Sequence, residues 1–193
     1  MIKIGITGGI GSGKTVISSL IAMNGIPVYM ADTESKRLSD TSPVIRRKLM
    51  ALFGNDLYVN DRLDRKRLAS IIFSDAKALE KVNEIIHPVV KKDFQAWTKQ
   101  QKSSVCAIES AILFETGFDK IVDIKLLVYA PVGLRLARVM ERDGATEADI
   151  MKRMNRQMPD ELKRKQADFV IINDEVDALL PQIDRFLKLL LQK

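Results

Sequence analysis

The sequence predicts an α/β fold: a five-stranded parallel sheet flanked by helices, with the ligand at the carboxyl ends of the strands. Five short runs, Ile2 to Thr7, Pro27 to Met30, Val105 to Glu109, Ile124 to Tyr129 and Phe169 to Ile172, are near-continuously apolar rather than alternating, as suits parallel strands buried on both faces. Helical patterns lie between them. Directly after the first run stands Gly8-Gly9-Ile10-Gly11-Ser12-Gly13-Lys14-Thr15, a stretch too rich in glycine to build a core.

That stretch fits G-x-x-x-x-G-K-[ST], and its spelling has a mechanical reason. Glycine admits φ > 0, so backbone N–H groups can turn inward. With the N-terminus of the following helix (Val16, Ile17, Leu20, Ile21) they form a concave anion site. Gly8, Gly9, Gly11, Ser12, Gly13, Lys14, Thr15 and Val16 are therefore the expected nucleoside triphosphate contacts. Lys14 would reach the β- and γ-phosphates, and the Thr15 hydroxyl would bind Mg²⁺. A plain strand-to-helix turn does not need this register. The loop alone names no function, because kinases, GTPases, motors and transporters share it.

A single helix joins the first two strands. The second and third are separated by 74 residues, Ala31 to Ser104, far more than a crossover needs, so the interval holds a helical insertion. Ser42-Pro43 reads as an N-cap followed by Pro in the first turn. Ser74-Asp75 starts another helix, expected to end near His87-Pro88, and a further helix carries Phe94 and Trp97, with Trp97 read as a packing residue. After the fourth strand, Pro131 begins a helix that Gly144 closes, and Thr146-x-x-Asp149 resembles a capping box. Residues 131–165 thus form a helix–turn–helix arm bearing Arg135, Arg138, Arg142, Arg153 and Arg156. In the last helix Pro181 is either a first-turn residue or a kink. The expected organisation is one domain: core 1–32, 103–130 and 166–193, insertion 33–102, and arm 131–165.

Composition narrows the setting. At 193 residues there is room for one sizeable core with an inserted subdomain. No apolar stretch nears the roughly 20 residues of a membrane span, and Met1 leads straight into the first strand, so a cytoplasmic chain with no membrane partner is expected. Cys106 is the sole cysteine and reads as a small buried core residue; with one histidine, His87, a His/Cys zinc site is excluded. The net charge is +6, and Lys36 to Leu68 alone carries nine basic and four acidic residues. Such a patch can serve nucleic acid, an anionic small molecule, or only a solvated helix face. Aromatics are 6% and do not interleave with the basic residues, which argues against a base-stacking surface.

The guanine-reading Asn-Lys-x-Asp and the Ser-Gly-Gly-Gln signature of ABC-type ATPases are both absent from the sequence. A short chain with a helical insertion and a late arginine-rich arm fits a P-loop kinase fold acting on a small metabolite, since phosphoryl transfer is mostly positioning and charge neutralisation. Asp32 directly follows the second strand, where a base for the acceptor hydroxyl would sit; Asp32 or Thr33 could equally cap the next helix. Glu109 ends the third strand, the place of a Walker-B-type acid on Mg²⁺, and Glu115 competes for that role. Arg142 can pair with the transferring phosphates or stand on a solvated face.

Further residues stand in one order: Ala31-Asp32; Leu63-Asp64-Arg65 with Leu68 and Phe73; Ile86-His87-Pro88 with Val90; Leu113-Phe114-Glu115; Arg142-Asp143-Gly144 with Arg153 and Gln157; then Ala167-Asp168 and Asn173. Together with the opening loop they resemble the dephospho-CoA kinase family, the last enzyme of coenzyme A biosynthesis, over nearly the whole chain. One departure is Glu109-Ser110-Ala111-Ile112-Leu113, where the family often has Asp-x-Pro-Leu-Leu. The resemblance implies phosphorylation of the ribose 3′-hydroxyl of 3′-dephospho-CoA by ATP. It implies a helical acceptor-binding insertion and a helical lid, with Asp32, Lys14 and Arg142 catalytic. Asn173 and Arg142 would join the loop in binding ATP, and Arg65, His87, Glu115 and Arg153 would bind the acceptor. The implied partner is a small molecule, not nucleic acid, and the implied state a monomer or small homo-oligomer. On the residues alone, a nucleoside monophosphate or shikimate-like acceptor, or a non-enzymatic nucleotide switch, remains open.

Overall fold

The computed structural model describes residues 1–190, Ser74 by its backbone alone. Its strands are β1 (Ile2–Thr7), β2 (Val28–Met30), β3 (Tyr58–Val59), β4 (Arg62–Leu63), β5 (Val105–Glu109), β6 (Ile124–Tyr129) and β7 (Phe169–Ile172). The main sheet has the order β2-β5-β1-β6-β7. β1 pairs in parallel with β5 and β6, and β6 with β7. Leu126, Leu127 and Val128 are consecutive and all fully buried, so both faces of β6 are covered and the run has no polar alternation. Pro27 lies just outside β2, and its C=O still accepts from the Ala107 N–H at 2.8 Å.

The chain divides into two compact units, one of residues 1–29 and 101–193, the other of residues 30–100. In the first, α1 (Lys14–Met23) and α9 (Leu179–Leu190) pack on the sheet through Ile17, Ile21, Ile183 and Phe186 against Ile4, Ile6 and Val128. Cys106 is buried there, as expected. Pro181 falls in the first turn of α9, where no intrahelical N–H bond is lost.

The arm of this unit has three helices rather than two: α6 (Val132–Asp143), α7 (Glu147–Met154) and α8 (Asp160–Gln166). Gly144 closes α6 in the left-handed region at φ 62°, and the Thr146 hydroxyl accepts from the Asp149 N–H at 3.3 Å to cap α7. Pro159 caps the third helix, which the sequence reading merged with the second. Val139, Ile150 and Met154 form a small core of their own, with Ile10 of the phosphate loop packed against it.

The second unit holds α2 (Ala31–Thr41), α3 (Pro43–Phe53), α4 (Arg65–Ser74) and α5 (Ala76–Gln100). Ser42 caps α3 by accepting from the Ile45 N–H at 3.4 Å. The helix expected to end at His87-Pro88 instead runs unbroken over 25 residues, with Pro88 inside and Phe94 and Trp97 on the same helix. Proline inside a helix costs about 3 kcal/mol. Packing on both sides of it offsets that cost: Val82, Ile85 and Ile86 before it, Val90, Phe94 and Thr98 after it, are all buried. Trp97 stacks on Phe94 at 6.0 Å between ring centroids, which is packing. This unit also contains the antiparallel pair β3–β4, not expected from the sequence, whose turn places Asn60 and Asp61 at φ 49° and 63°. Two successive positive φ values at Asn-Asp are the mark of a type I′ hairpin turn. Among the described residues no helix is long and apolar enough to cross a membrane.

Candidate active site

β1 delivers the chain to the loop of residues 8–15, and hydrogen bonds from three places hold that loop. Within it, the Gly9 C=O accepts from the Ser12 N–H at 3.1 Å and from Lys14 Nζ at 3.2 Å. From the arm, Arg135 Nε donates to the Ile10 C=O at 2.9 Å, and the Ile10 N–H donates to Gln157 Oε1 at 2.9 Å. From the end of β7, Asn173 Nδ2 donates to the Ser12 C=O at 2.9 Å. Gly13 is the N-cap of α1 at φ 88°, and no side chain caps that helix, so none competes for its first N–H groups. Glycine is favoured here by the dihedral, and a Cβ, 2.1 Å from Asn173 Nδ2, would also displace that side chain from the loop.

The donor set fits a triphosphate and its metal. The hydroxyls of Thr7 and Ser12 are buried with no hydrogen-bond partner, which phosphate oxygens would supply. Thr15 and Val16 stand exposed in the first turn of α1, and the Val16 N–H already bonds the Gly13 C=O at 3.0 Å. Glu109 is buried at the end of β5, level with Ile6 in the ladder, and the next residue, Ser110, donates its N–H to the Ile6 C=O at 2.9 Å. That puts a carboxylate beside the root of the loop. Among the described residues no cluster of three or more His, Cys, Asp or Glu could hold a metal alone. Mg²⁺ does not need one, since it is commonly held by one or two carboxylates, water and substrate phosphates.

Glu115, the rival carboxylate, is turned toward the arm. Its Oε1 accepts from the Met158 N–H at 2.7 Å and pairs with Lys163 Nζ at 3.3 Å. Lys163 is fully buried, donates to the Ala111 C=O at 2.7 Å, and is held below the usual lysine range by burial, which Glu115 partly offsets. Sequence reasoning missed Lys163, and nothing in its local pattern marks it.

The arm arginines sort into two groups. Arg142 and Arg153 meet at one carboxylate: Arg142 Nε reaches Asp143 Oδ1 at 2.7 Å and Arg153 Nη1 reaches Asp143 Oδ2 at 2.8 Å. These two bonds hold the Asp143 carboxyl well below the usual carboxylate range. Both arginines remain substantially exposed. Arg138 bonds Glu175 and the Asn173 C=O. Arg135 is buried and pairs with Asp160. It counted in the sequence only as one of five arm arginines. Its place one turn before the buried Val139, on the same face of α6, was the available sign.

In the unit of residues 30–100, Asp32 is the second residue of α2 and exposed. The N-cap is Met30 and no side chain caps the helix, so the capping alternative for Asp32 and Thr33 does not hold. Arg65 opens α4; its Nη2 donates to Asp40 Oδ2 at 2.7 Å and to the Lys36 C=O at 2.9 Å. Burial raises the Asp40 carboxyl, but the bonds from Arg65 and the Leu63 N–H outweigh it and leave the group below its ordinary value. His87 is half-buried in α5, and burial pushes its imidazole below the ordinary value.

A glycine loop at the root of a parallel sheet, with an arginine-bearing arm hydrogen-bonded to it, defines a P-loop phosphotransferase of the kinase fold. The family model described as dephospho-CoA kinase matches residues 2–178. A dephospho-CoA kinase of Porphyromonas gingivalis is 47% identical over 189 residues, 97% of this chain and 94% of that one. A solved structure from Thermus thermophilus is 34% identical with a TM-score of 0.84, covering 99% of this chain and 96% of that one. A dephospho-CoA kinase from Campylobacter jejuni, 23% identical with a TM-score of 0.66 over 98% of this chain and 96% of that one, shares the fold. The chain belongs to the dephospho-CoA kinase family.

Proposed function

We propose that this protein transfers the γ-phosphoryl group of ATP to the ribose 3′-hydroxyl of 3′-dephospho-CoA, giving coenzyme A and ADP. The observation that carries the reading is the family match over residues 2–178, joined to a phosphate loop with its lysine and helix N-terminus in place. Lys14 neutralises charge on the β- and γ-phosphates, and the N–H groups at the start of α1 bind them. A bound Mg²⁺ would supply charge neutralisation for the phosphates and the leaving group. Thr15 would hold it directly. The position of Glu109 beside the loop root supports that residue as the carboxylate.

On the acceptor side, Asp32 would orient and deprotonate the 3′-hydroxyl, and Arg65 would bind the acceptor's diphosphate with His87 nearby. Residues 33–102, most of which fall in the compact unit of residues 30–100, are thus read as the acceptor-binding insertion. Residues 131–165 are read as a lid, in which Arg142 and Arg153 exchange Asp143 for substrate phosphates. A lid is chemically necessary, because transfer to a hydroxyl must exclude water or ATP is hydrolysed. ATP as donor also supports a cytoplasmic setting. The test is ADP release with ATP and Mg²⁺, with and without 3′-dephospho-CoA. Strong stimulation by that acceptor is expected; release that ignores it, or that responds instead to shikimate or a nucleoside monophosphate, overturns the assignment.

A further inference from the structure

The phosphate loop contains two successive peptide units that are fixed from outside it. In the Gly9–Ile10 peptide, the C=O accepts from the Ser12 N–H and Lys14 Nζ, while the N–H donates to Gln157 Oε1 at 2.9 Å. In the Ile10–Gly11 peptide, the C=O accepts from Arg135 Nε at 2.9 Å. The C=O and N–H of a trans peptide point in opposite directions. Pinning the Ile10 carbonyl on α6 therefore aims the Gly11 N–H away from α6.

These units need fixing because glycine stands on both sides of Ile10. Gly9 and Gly11 have soft dihedrals, so a peptide flip that turns a carbonyl toward bound phosphate is cheap unless something opposes it. Arg135 opposes it with a geometry that only a guanidinium offers. Its Nε holds the loop while its Nη1 pairs with Asp160 at the start of α8. The two side chains are 6% and 11% exposed, so the positive charge is matched within the protein rather than presented to a nucleotide. The fit is close: a Cβ on Gly9 would lie 2.2 Å from Arg135 Nη2, and one on Gly11 would lie 2.5 Å from the Arg135 C=O.

We propose that Arg135 and Gln157 are positioning residues for phosphoryl transfer: Arg135 holds the carbonyl of the Ile10–Gly11 peptide on α6, so that its N–H and not its carbonyl is free to face the nucleotide phosphates, and Gln157 holds the Gly9–Ile10 peptide with its carbonyl on the Ser12 N–H and Lys14 Nζ, so that the lysine stays placed for those phosphates. This rests on the kinase reading given under Proposed function. It assigns Arg135 a task different from that of Arg142 and Arg153, since Arg135 acts through the loop backbone and touches no phosphate.

The test uses the full chain and needs no acceptor: Mg·ADP affinity by titration calorimetry, well below each variant's melting temperature. Gln157→Leu removes the acceptor of the Ile10 N–H, and Mg·ADP binding weakens about tenfold, the usual scale of one lost hydrogen bond. Gln157→Glu keeps an oxygen there and stays within about threefold of the parent. Arg135→Lys, which cannot bond the loop and Asp160 together, behaves like Gln157→Leu; if it fails to fold, the Gln157 pair decides alone. In steady state, Gln157→Leu raises the ATP KM and lowers kcat while the acceptor KM holds. Unchanged Mg·ADP affinity in Gln157→Leu, or equal loss in the Leu and Glu variants, overturns the proposal. Failure of the kinase reading is seen separately, as ADP release by the unmutated chain that ignores 3′-dephospho-CoA.

Discussion

The phosphate loop and the helical unit of residues 30–100 both carry the positive charge that phosphate chemistry needs, and they hold it in opposite ways. Lys14 is 9% exposed and bonded to a backbone carbonyl of its own loop, whose other carbonyls at Ile10 and Ser12 are tied to Arg135 and Asn173. Arg65 is 43% exposed, and its charge rests on Asp40 at the surface. An exposed pair of that kind contributes about 0–1 kcal/mol, so a substrate phosphate can replace the aspartate at little cost. Arg135, buried and paired with Asp160, has no such freedom. The loop therefore holds its charge on a fixed backbone, and the helical unit holds its charge on an exposed ion pair.

The largest test of that contrast is Lys14→Ala. Losing a preorganised charge in a fixed site lowers turnover by about 10²–10³ or more, while the melting temperature stays close to the parent. A folded variant with near-normal kcat would break the assignment of the loop.

Asp32→Asn comes next. Because Met30 caps α2, removing the Asp32 charge costs the helix only a charge–dipole contribution of about 0.3–1 kcal/mol. As the acceptor's base it is worth more, and turnover falls about 10²-fold, the low end for a positioned base because the transition state is loose. The measurement pairs kcat with melting temperature. A loss under about threefold leaves Asp32 a dipole-compensating residue and nothing more.

Arg65→Ala probes the exchangeable side directly. The acceptor KM rises by about 10- to 150-fold, the scale of one charge-assisted contact, and the ATP KM does not move. Equal rises for both substrates would make Arg65 a structural partner of Asp40 and blur the contrast between the two units.

The smallest effect is expected at His87. Its imidazole is held below the ordinary 6.5 by burial, so the unfolded chain takes up a proton more readily than the folded one. Its contribution is complete above about pH 6.5 and is lost as pH falls below it. Melting temperature should drop less steeply between about pH 7 and 5 in His87→Gln than in the parent. Parallel slopes would mean that His87 is as solvated in the folded chain as in the unfolded one.

Local sequence determined what depends on local chemistry. Strands β1, β5, β6 and β7 are legible because burial on both faces leaves a continuous apolar run, and β2 differs from its expected span by Pro27 alone. The phosphate loop is legible because its dihedrals can be met by few residues, and the caps at Ser42, Thr146 and Gly144 because each side chain or dihedral satisfies a neighbouring backbone group. Tertiary structure decided the rest. Pro88 should break a helix, and only packing on both of its sides keeps α5 whole. Arg135 reads as one surface arginine among five until α6 is laid on the loop and its guanidinium meets Ile10 and Asp160. Lys163 and Glu115 are 48 positions apart and become a pair only in space. Propensity and motif act over a few neighbouring residues, whereas burial and charge pairing depend on what the fold brings from far along the chain, so the loop could be read from sequence and Gln157 and Asn173 singled out in it, but not the hold of Arg135 on the loop.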